Sequence, residues 1–190
     1  MNMEKRANVA IFASGTGSNF QAIMDSPHRE FDVVRLVSDK PKSHVIGKAA
    51  SSGVETIVFD ADEYENRETY EKEILRKLKK ARVEWIVLAG YMRVIGDTIL
   101  EAYEGKIVNV HPSLLPSFPG TDGVGQALEA GVKVSGVTIH YVDEGIDTGE
   151  IIAQEAVTVF PHDTKESLQR RIQQVEHNIY PRVINKLTKE

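Results

Sequence analysis

The chain has no cysteine. That absence removes disulfides, thiolate metal ligands and a cysteine nucleophile together, so any acyl chemistry must run without a thioester. A basic excess is missing too: 23 Lys and Arg stand against 28 Asp and Glu, for a net charge of −5 and a pI of about 5.7. This balance favours solubility and offers no basic face to nucleic acid or an anionic membrane, although it still allows a local phosphate site. No stretch approaches the ~20 apolar residues of a membrane span. The opening Met1-Asn2-Met3-Glu4-Lys5-Arg6-Ala7 leads into a short apolar run and not a signal-peptide core, so a cytoplasmic protein is expected. Internal repeats, low-complexity segments and linkers rich in Pro, Gly or Ser are also absent. With 190 residues and 41% hydrophobic content, one core suffices, and a single domain over residues 1–190 is expected.

What is present is alternation. Short β-branched apolar runs at Val9–Ala13, Val33–Ser38, Thr56–Phe59, Trp85–Ala89 and Ile107–Val110 read as buried strands. Between them lie helix candidates near Asn19–Met24, His44–Ser51, Asn66–Lys80 and Asp97–Tyr103. This order predicts an α/β fold, a Rossmann-like, mostly parallel twisted sheet flanked by helices on both faces. After Gly120 the pattern changes: a helix near Val124–Ala130 precedes Ser135–Val142 and Ile151–Val159, with no helix between these two strands. They predict an antiparallel C-terminal edge. A long final helix should start at Asp163 or Thr164 and carry Leu168, Ile172, Val175 and Ile179 on one face, with Pro181 kinking or breaking it.

Three segments carry candidate chemistry. In Asn109-Val110-His111-Pro112-Ser113-Leu114-Leu115-Pro116, Asn109 and His111 share a strand face, and the prolines end the strand at His111. A carboxamide donor beside an imidazole suits acyl transfer. Ala13-Ser14-Gly15-Thr16-Gly17-Ser18-Asn19 follows the first strand, where backbone amides can hold an anion. Phe20 replaces the third small residue of the dinucleotide fingerprint, and no Gly-Lys-Ser/Thr occurs, which favours a monophosphate. The same loop also reads as a glycine-rich turn with Ser18 or Asn19 as the N-cap. Asp147, in Asp143-Glu144-Gly145-Ile146-Asp147-Thr148-Gly149, lies on a loop that can bring a carboxylate to His111 and favour imidazolium; alone, it also reads as a turn-former.

Other positions have two readings. Met92, Arg93, Val94 and Ile95 after the fourth strand suit a flat heteroaromatic ligand, and Met92 and Ile95 equally suit ordinary core packing. Gln173 and Glu176 share a helix face that meets sugar hydroxyls or water. Asp143 and Glu144 read as solvated loop charges. No His/Asp/Glu spacing matches a zinc site, so no metal is expected, and no Gly-x-Ser-x-Gly elbow occurs.

These motifs resemble the folate-dependent phosphoribosylglycinamide formyltransferases, over nearly the whole chain. The Asn109–Pro116 segment, Phe118-Pro119-Gly120, Gly136-Val137-Thr138-Ile139-His140 and Asp147-Thr148-Gly149 are shared with the wider formyltetrahydrofolate-using group, while Gly15–Asn19 and Gln173–His177 with Tyr180-Pro181 resemble the narrower family. The resemblance implies formyl transfer from 10-formyltetrahydrofolate to the amine of glycinamide ribonucleotide, in purine (IMP) synthesis. It implies Asn109, His111 and Asp147 as the catalytic set. Gly17, Ser18 and Asn19 would hold the phosphate through their backbone, and Gln173 and Glu176 would meet the rest of the ribonucleotide. Arg67, Met92, Arg93, Val94, Ile95, Asn109 and the loop Asp143, Glu144, Gly145, Ile146 and Asp147 would form the folate pocket. The N-terminal half thus carries the phosphate site and the C-terminal half the folate and catalytic site. The implied partners are these two small molecules, with no nucleic acid and no membrane, and the chain a monomer or homodimer. Two departures stand out: Glu150, where many relatives have proline, and Asp39, where Asn is common and to which no role is assigned. The other readings are a formylfolate hydrolase, a formyltransferase for methionyl-tRNA or a sugar nucleotide, and a non-catalytic folate sensor.

Overall fold

Strand β1 (Asn8–Phe12) is apolar on both sides and lies inside the sheet. Val9 and Ile11 pack into one core with helices α1 (Ser18–Met24), α2 (His44–Ser51), α5 (Gly123–Glu129) and α6 (Lys165–Leu187), while Ala10 and Phe12 pack into a second core with α3 (Arg67–Lys80) and α4 (Asp97–Ala102). The period of two along a strand thus divides the helices between two faces. The remaining strands are β2 (Asp32–Ser38), β3 (Thr56–Val58), β4 (Trp85–Leu88), β5 (Ile107–His111), β6 (Val134–Tyr141) and β7 (Ile151–Thr158). The computed structural model describes residues 5–189. Met1–Glu4, the first part of the lead-in to β1, and Glu190 lie outside the described residues.

The seven strands run in the order β3-β2-β1-β4-β5-β6-β7. The first five pair in parallel; β6 joins β5 antiparallel and β7 joins β6 antiparallel, as the missing crossover helix predicts. After β1 the chain passes to the helices of one face and after β4 to those of the other, so the loops leaving these neighbouring strands diverge. A ligand crevice opens at such a point in an open α/β sheet.

Helix α6 begins with a reciprocal cap: Thr164 Oγ1 accepts the Ser167 N–H at 3.2 Å, and Ser167 Oγ accepts the Thr164 N–H at 2.9 Å. Of the kink or break expected at Pro181, the break does not occur. The helix continues to Leu187 because the residues around the proline are buried, and the fully buried Tyr180 hydroxyl reaches the carbonyls of Leu88 at 2.8 Å and Val108 at 3.1 Å. These contacts tie α6 to the ends of β4 and β5 and outweigh the loss of one helical hydrogen bond.

Candidate active site

Strand β5 extends one residue beyond its apolar run and stops at His111, since Pro112 has no ladder N–H to give. Both ring nitrogens of His111 face oxygen. Nε2 donates to the Phe118 carbonyl at 2.8 Å, and Nδ1 stands 3.4 Å from Asp147 Oδ2. The loop that supplies Phe118 is held by Thr138 on β6, whose hydroxyl donates to Ser113 O at 2.7 Å and accepts the Leu115 N–H at 3.0 Å. Asp147 arrives from the β6–β7 loop with φ of 55°, and its Oδ2 accepts the Gly120 N–H at 2.7 Å. Burial pushes this carboxyl upward, but His140, the Gly120 N–H and the nearby His111 outweigh it and hold the group below the ordinary carboxylate value.

The structure adds a fourth member. His140 pairs with Asn109 across the β5–β6 ladder, and its Nε2 lies 3.3 Å from Asn109 Nδ2 and 3.6 Å from Asp147 Oδ1. Sequence reasoning assigned it nothing. The available signal was the alternation of Thr138 and His140 on a strand that must pair with β5, legible only with the register in hand.

Asn109, His111 and Asp147 line a cleft of about 500 Å³ above the carboxyl ends of β1, β4 and β5. At one end, Gly17, Ser18 and Asn19 open α1. Gly17 itself is the N-cap, with φ of 74° and no side-chain cap, so neither Ser18 nor Asn19 plays that part. The Asn19 amide instead donates to Glu176 Oε2 at 2.9 Å, and Lys48 brings an ammonium to 3.4 Å from the Gly17 carbonyl. Glu176 is buried, not turned to water, and burial raises its carboxyl pKa against the opposing Asn19 hydrogen bond. Gln173 lines the same end, as does Gln169, which the sequence did not suggest.

The loop after β4 forms another wall of the cleft. Met92 is 62% exposed, which overturns core packing for that residue, whereas Ile95 is buried and lines the cleft as well. Arg93 and Val94 complete this wall. Asp39 acquires a structural role here: its buried carboxylate accepts Ser14 Oγ at 2.5 Å and Arg93 Nε at 3.0 Å, and Ser14 Oγ accepts the Met92 N–H at 2.9 Å. Asp143, Gly145 and Ile146 also line the cleft. Asp143 builds its loop by accepting the Gly145 N–H at 3.0 Å and the Thr148 hydroxyl at 2.7 Å. The Glu150 carbonyl closes that loop by accepting the Tyr141 N–H at 2.9 Å. Glu144 is exposed and lies off the cleft wall; Arg67 lines an adjoining cleft of about 440 Å³ that shares Met92, Arg93 and Val94. Among the described residues no side-chain cluster suits a metal ion, and no helix is long and apolar enough to cross a membrane.

Comparison with known proteins agrees with this fold. The chain is similar to the phosphoribosylglycinamide formyltransferase of Bacillus subtilis (strain 168), 52% identical over 94% of this chain and 93% of that protein. Its fold is similar to the crystal structure of glycinamide ribonucleotide transformylase 1 from Geobacillus kaustophilus, with a TM-score of 0.95 and 52% identity, covering 97% of this chain and 100% of that one. It is similar as well to the phosphoribosylglycinamide formyltransferase of Bacillus halodurans, with a TM-score of 0.92 and 50% identity over 95% of this chain and 94% of that one. Residues 7–184 match the family described as formyl transferase, and the chain belongs to that family.

Proposed function

We propose that the chain transfers the formyl group of 10-formyltetrahydrofolate to the amine of 5-phosphoribosylglycinamide, a step of purine synthesis carried out in the cytoplasm. The observation that carries this reading is the convergence of Asn109, His111 and Asp147 in one cleft that Gly17–Asn19 and Met92–Ile95 also line. The names of the relatives and the family's use of formyltetrahydrofolate support it.

The ribonucleotide phosphate lies against the N–H groups of Gly17, Ser18 and Asn19, with Gln173 and Glu176 beside the sugar. The folate ring packs on Met92, Arg93, Val94 and Ile95, enclosed by Asn109 and by Asp143, Gly145, Ile146 and Asp147 of the β6–β7 loop, and its tail passes Arg67. Holding both substrates in one cleft turns a bimolecular attack into a local one. The amine attacks the formyl carbon, and the carbonyl pair moves onto oxygen. Asn109 Nδ2 donates to that oxyanion, and His111 shares with it the Nδ1–H that faces Asp147 Oδ2 at 3.4 Å, while Asp147 supports the charge on His111. The intermediate collapses by breaking the bond from the formyl carbon to the folate N10, and the proton lost by the amine is the one N10 gains, with Asp147 ordering the transfer. The products are formylglycinamide ribonucleotide and tetrahydrofolate.

The test is folate turnover, followed by cofactor absorbance, with and without the ribonucleotide. Turnover that requires the ribonucleotide is expected. Formate release without it marks a hydrolase, and binding without turnover marks a sensor.

A further inference from the structure

The Met92–Ile95 wall belongs to no helix or strand: it lies between the end of β4 at Leu88 and the start of α4 at Asp97, so no backbone ladder fixes its position. Side chains from other elements do. Ser14 Oγ accepts the Met92 N–H at 2.9 Å and Asp39 holds Arg93, and both act on the first half of the wall. The far end depends on Glu71. This residue of α3 is 2% exposed, and its Oε1 accepts the Gly96 N–H at 2.7 Å. Gly96 is the N-cap of α4. In a capping box the third helical residue takes the N-cap N–H; in α4 that residue is the apolar Ile99, and Glu71 fills the role from the neighbouring helix. Arg67 precedes Glu71 by one turn of α3 and shares its face. Gly96 is seated between the two: an added Cβ would lie 2.6 Å from Arg67 Cδ and 2.9 Å from Glu71 Oε2. Burial pushes the Glu71 carboxyl upward, against the hydrogen bonds of the Gly96 and Ile99 backbone and the nearby Arg67 charge.

We propose that Glu71 is a positioning residue for the formylfolate: it fixes the end of the Met92–Ile95 wall against the turn of α3 that carries Arg67, and so sets the spacing between the surface under the folate ring and the guanidinium beside the tail. Met92 and Val94 are exposed, so their own burial does not hold the wall in place. A wall held in advance lowers the ordering cost of binding. Glu71 lines neither of the two clefts, so it acts through Gly96 and Arg67 and not by touching the cosubstrate. Its effect falls on binding of the formylfolate and spares the chemical step, because the wall meets ring and tail alike in the ground and transition states.

The inference rests on the proposed formyl transfer, and the tests separate the two. Glu71→Leu removes the acceptor, whereas Glu71→Gln keeps an oxygen for the Gly96 N–H without the charge. The leucine variant is expected to raise KM for 10-formyltetrahydrofolate ~10-fold, the scale of one charge-assisted hydrogen bond, with kcat and KM for the ribonucleotide within about two-fold of wild type. Glutamine should bring the rise down to about three-fold, since a neutral hydrogen bond is roughly half as strong. With 10-formyltetrahydropteroate, which lacks the glutamate tail, the leucine variant should change KM by about two-fold or less, because no spacing to Arg67 is then read. An unchanged formylfolate KM, a rise shared equally by the ribonucleotide or by the tailless cosubstrate, or glutamine no better than leucine overturns the proposal. A wild-type chain that turns over no folate fails the formyl-transfer reading instead. Amide exchange of the unsubstituted chain then decides the anchor, as it does with the glutamine variant should the leucine variant fail to fold: the Gly96 N–H is expected to be protected, and exchange at the rate of an open loop overturns the proposal.

Discussion

Arg93 donates through Nε to the carboxylate of Asp39 at 3.0 Å, an ion pair in which the carboxylate is 1% exposed and the guanidinium 32%. Because the other Asp39 oxygen holds Ser14, one side chain joins the loop that opens α1 to the loop after β4. Asp39→Ala should destabilise the protein by about 1–3 kcal/mol, below the loss for a fully buried pair because water reaches Arg93. It should raise KM for the formylfolate more than KM for the ribonucleotide. Urea midpoints and the two KM values check this, and unchanged values of both would count against the role.

Asn109→Ala and His111→Ala should fold normally and lose about 10²–10³ in kcat, the usual effect of deleting one preorganised oxyanion donor. Full activity in either variant would remove it from the proposed mechanism. Single-turnover rates separate chemistry from product release.

The lowered carboxyl of Asp147 gives stability a pH dependence of known sign. A carboxyl whose folded pKa lies below its unfolded one contributes stability above the ordinary carboxylate range and loses it as pH falls through the lowered folded value. Asp147→Asn should flatten that acid-side fall in melting temperature. An identical acid profile in the variant would contradict the pairing with His111 and His140.

Glu176 should behave oppositely. Its carboxyl is raised by burial, so its contribution is present below the ordinary carboxylate value and is lost as pH rises through the raised folded value. Glu176→Gln should remove that loss and gain melting temperature relative to wild type at alkaline pH, while KM for the ribonucleotide rises. Parallel melting curves across pH would sink this.

Gly17→Ala should cost about 1–3 kcal/mol in a denaturant titration. The residue has φ of 74°, and an added Cβ would lie 2.6 Å from Val45 Cγ2, so relief requires α2 to move away from the cleft. KM for the ribonucleotide should rise with the loss of stability. A neutral substitution would mean that the loop is not held as described.

How much of this was legible beforehand depends on the range of the forces involved. The strands through β5, the helix near Asn66–Lys80 and the start of α6 follow from apolar period, proline and capping chemistry, which act within a few residues. The fate of Pro181 was not legible, since contacts of Tyr180 with β4 and β5 decide it. The cap of α1 was misread as Ser18 or Asn19 because the partner of Asn19 is Glu176, far along the chain. Met92 and Ile95 look alike as apolar residues after a strand, yet one is exposed and the other buried.

By itself the sequence determined the α/β order, the antiparallel edge, the shared strand face of Asn109 and His111, and the exclusion of thiol chemistry, because each depends on residue type or on spacing along one element. Only the tertiary structure decided that Asp147 reaches His111, that Asp39 joins two loops, that Glu176 is buried, and that His140 stands against Asn109. Those facts depend on strand register and on side chains meeting across long separations in the chain, and no local propensity encodes such distances.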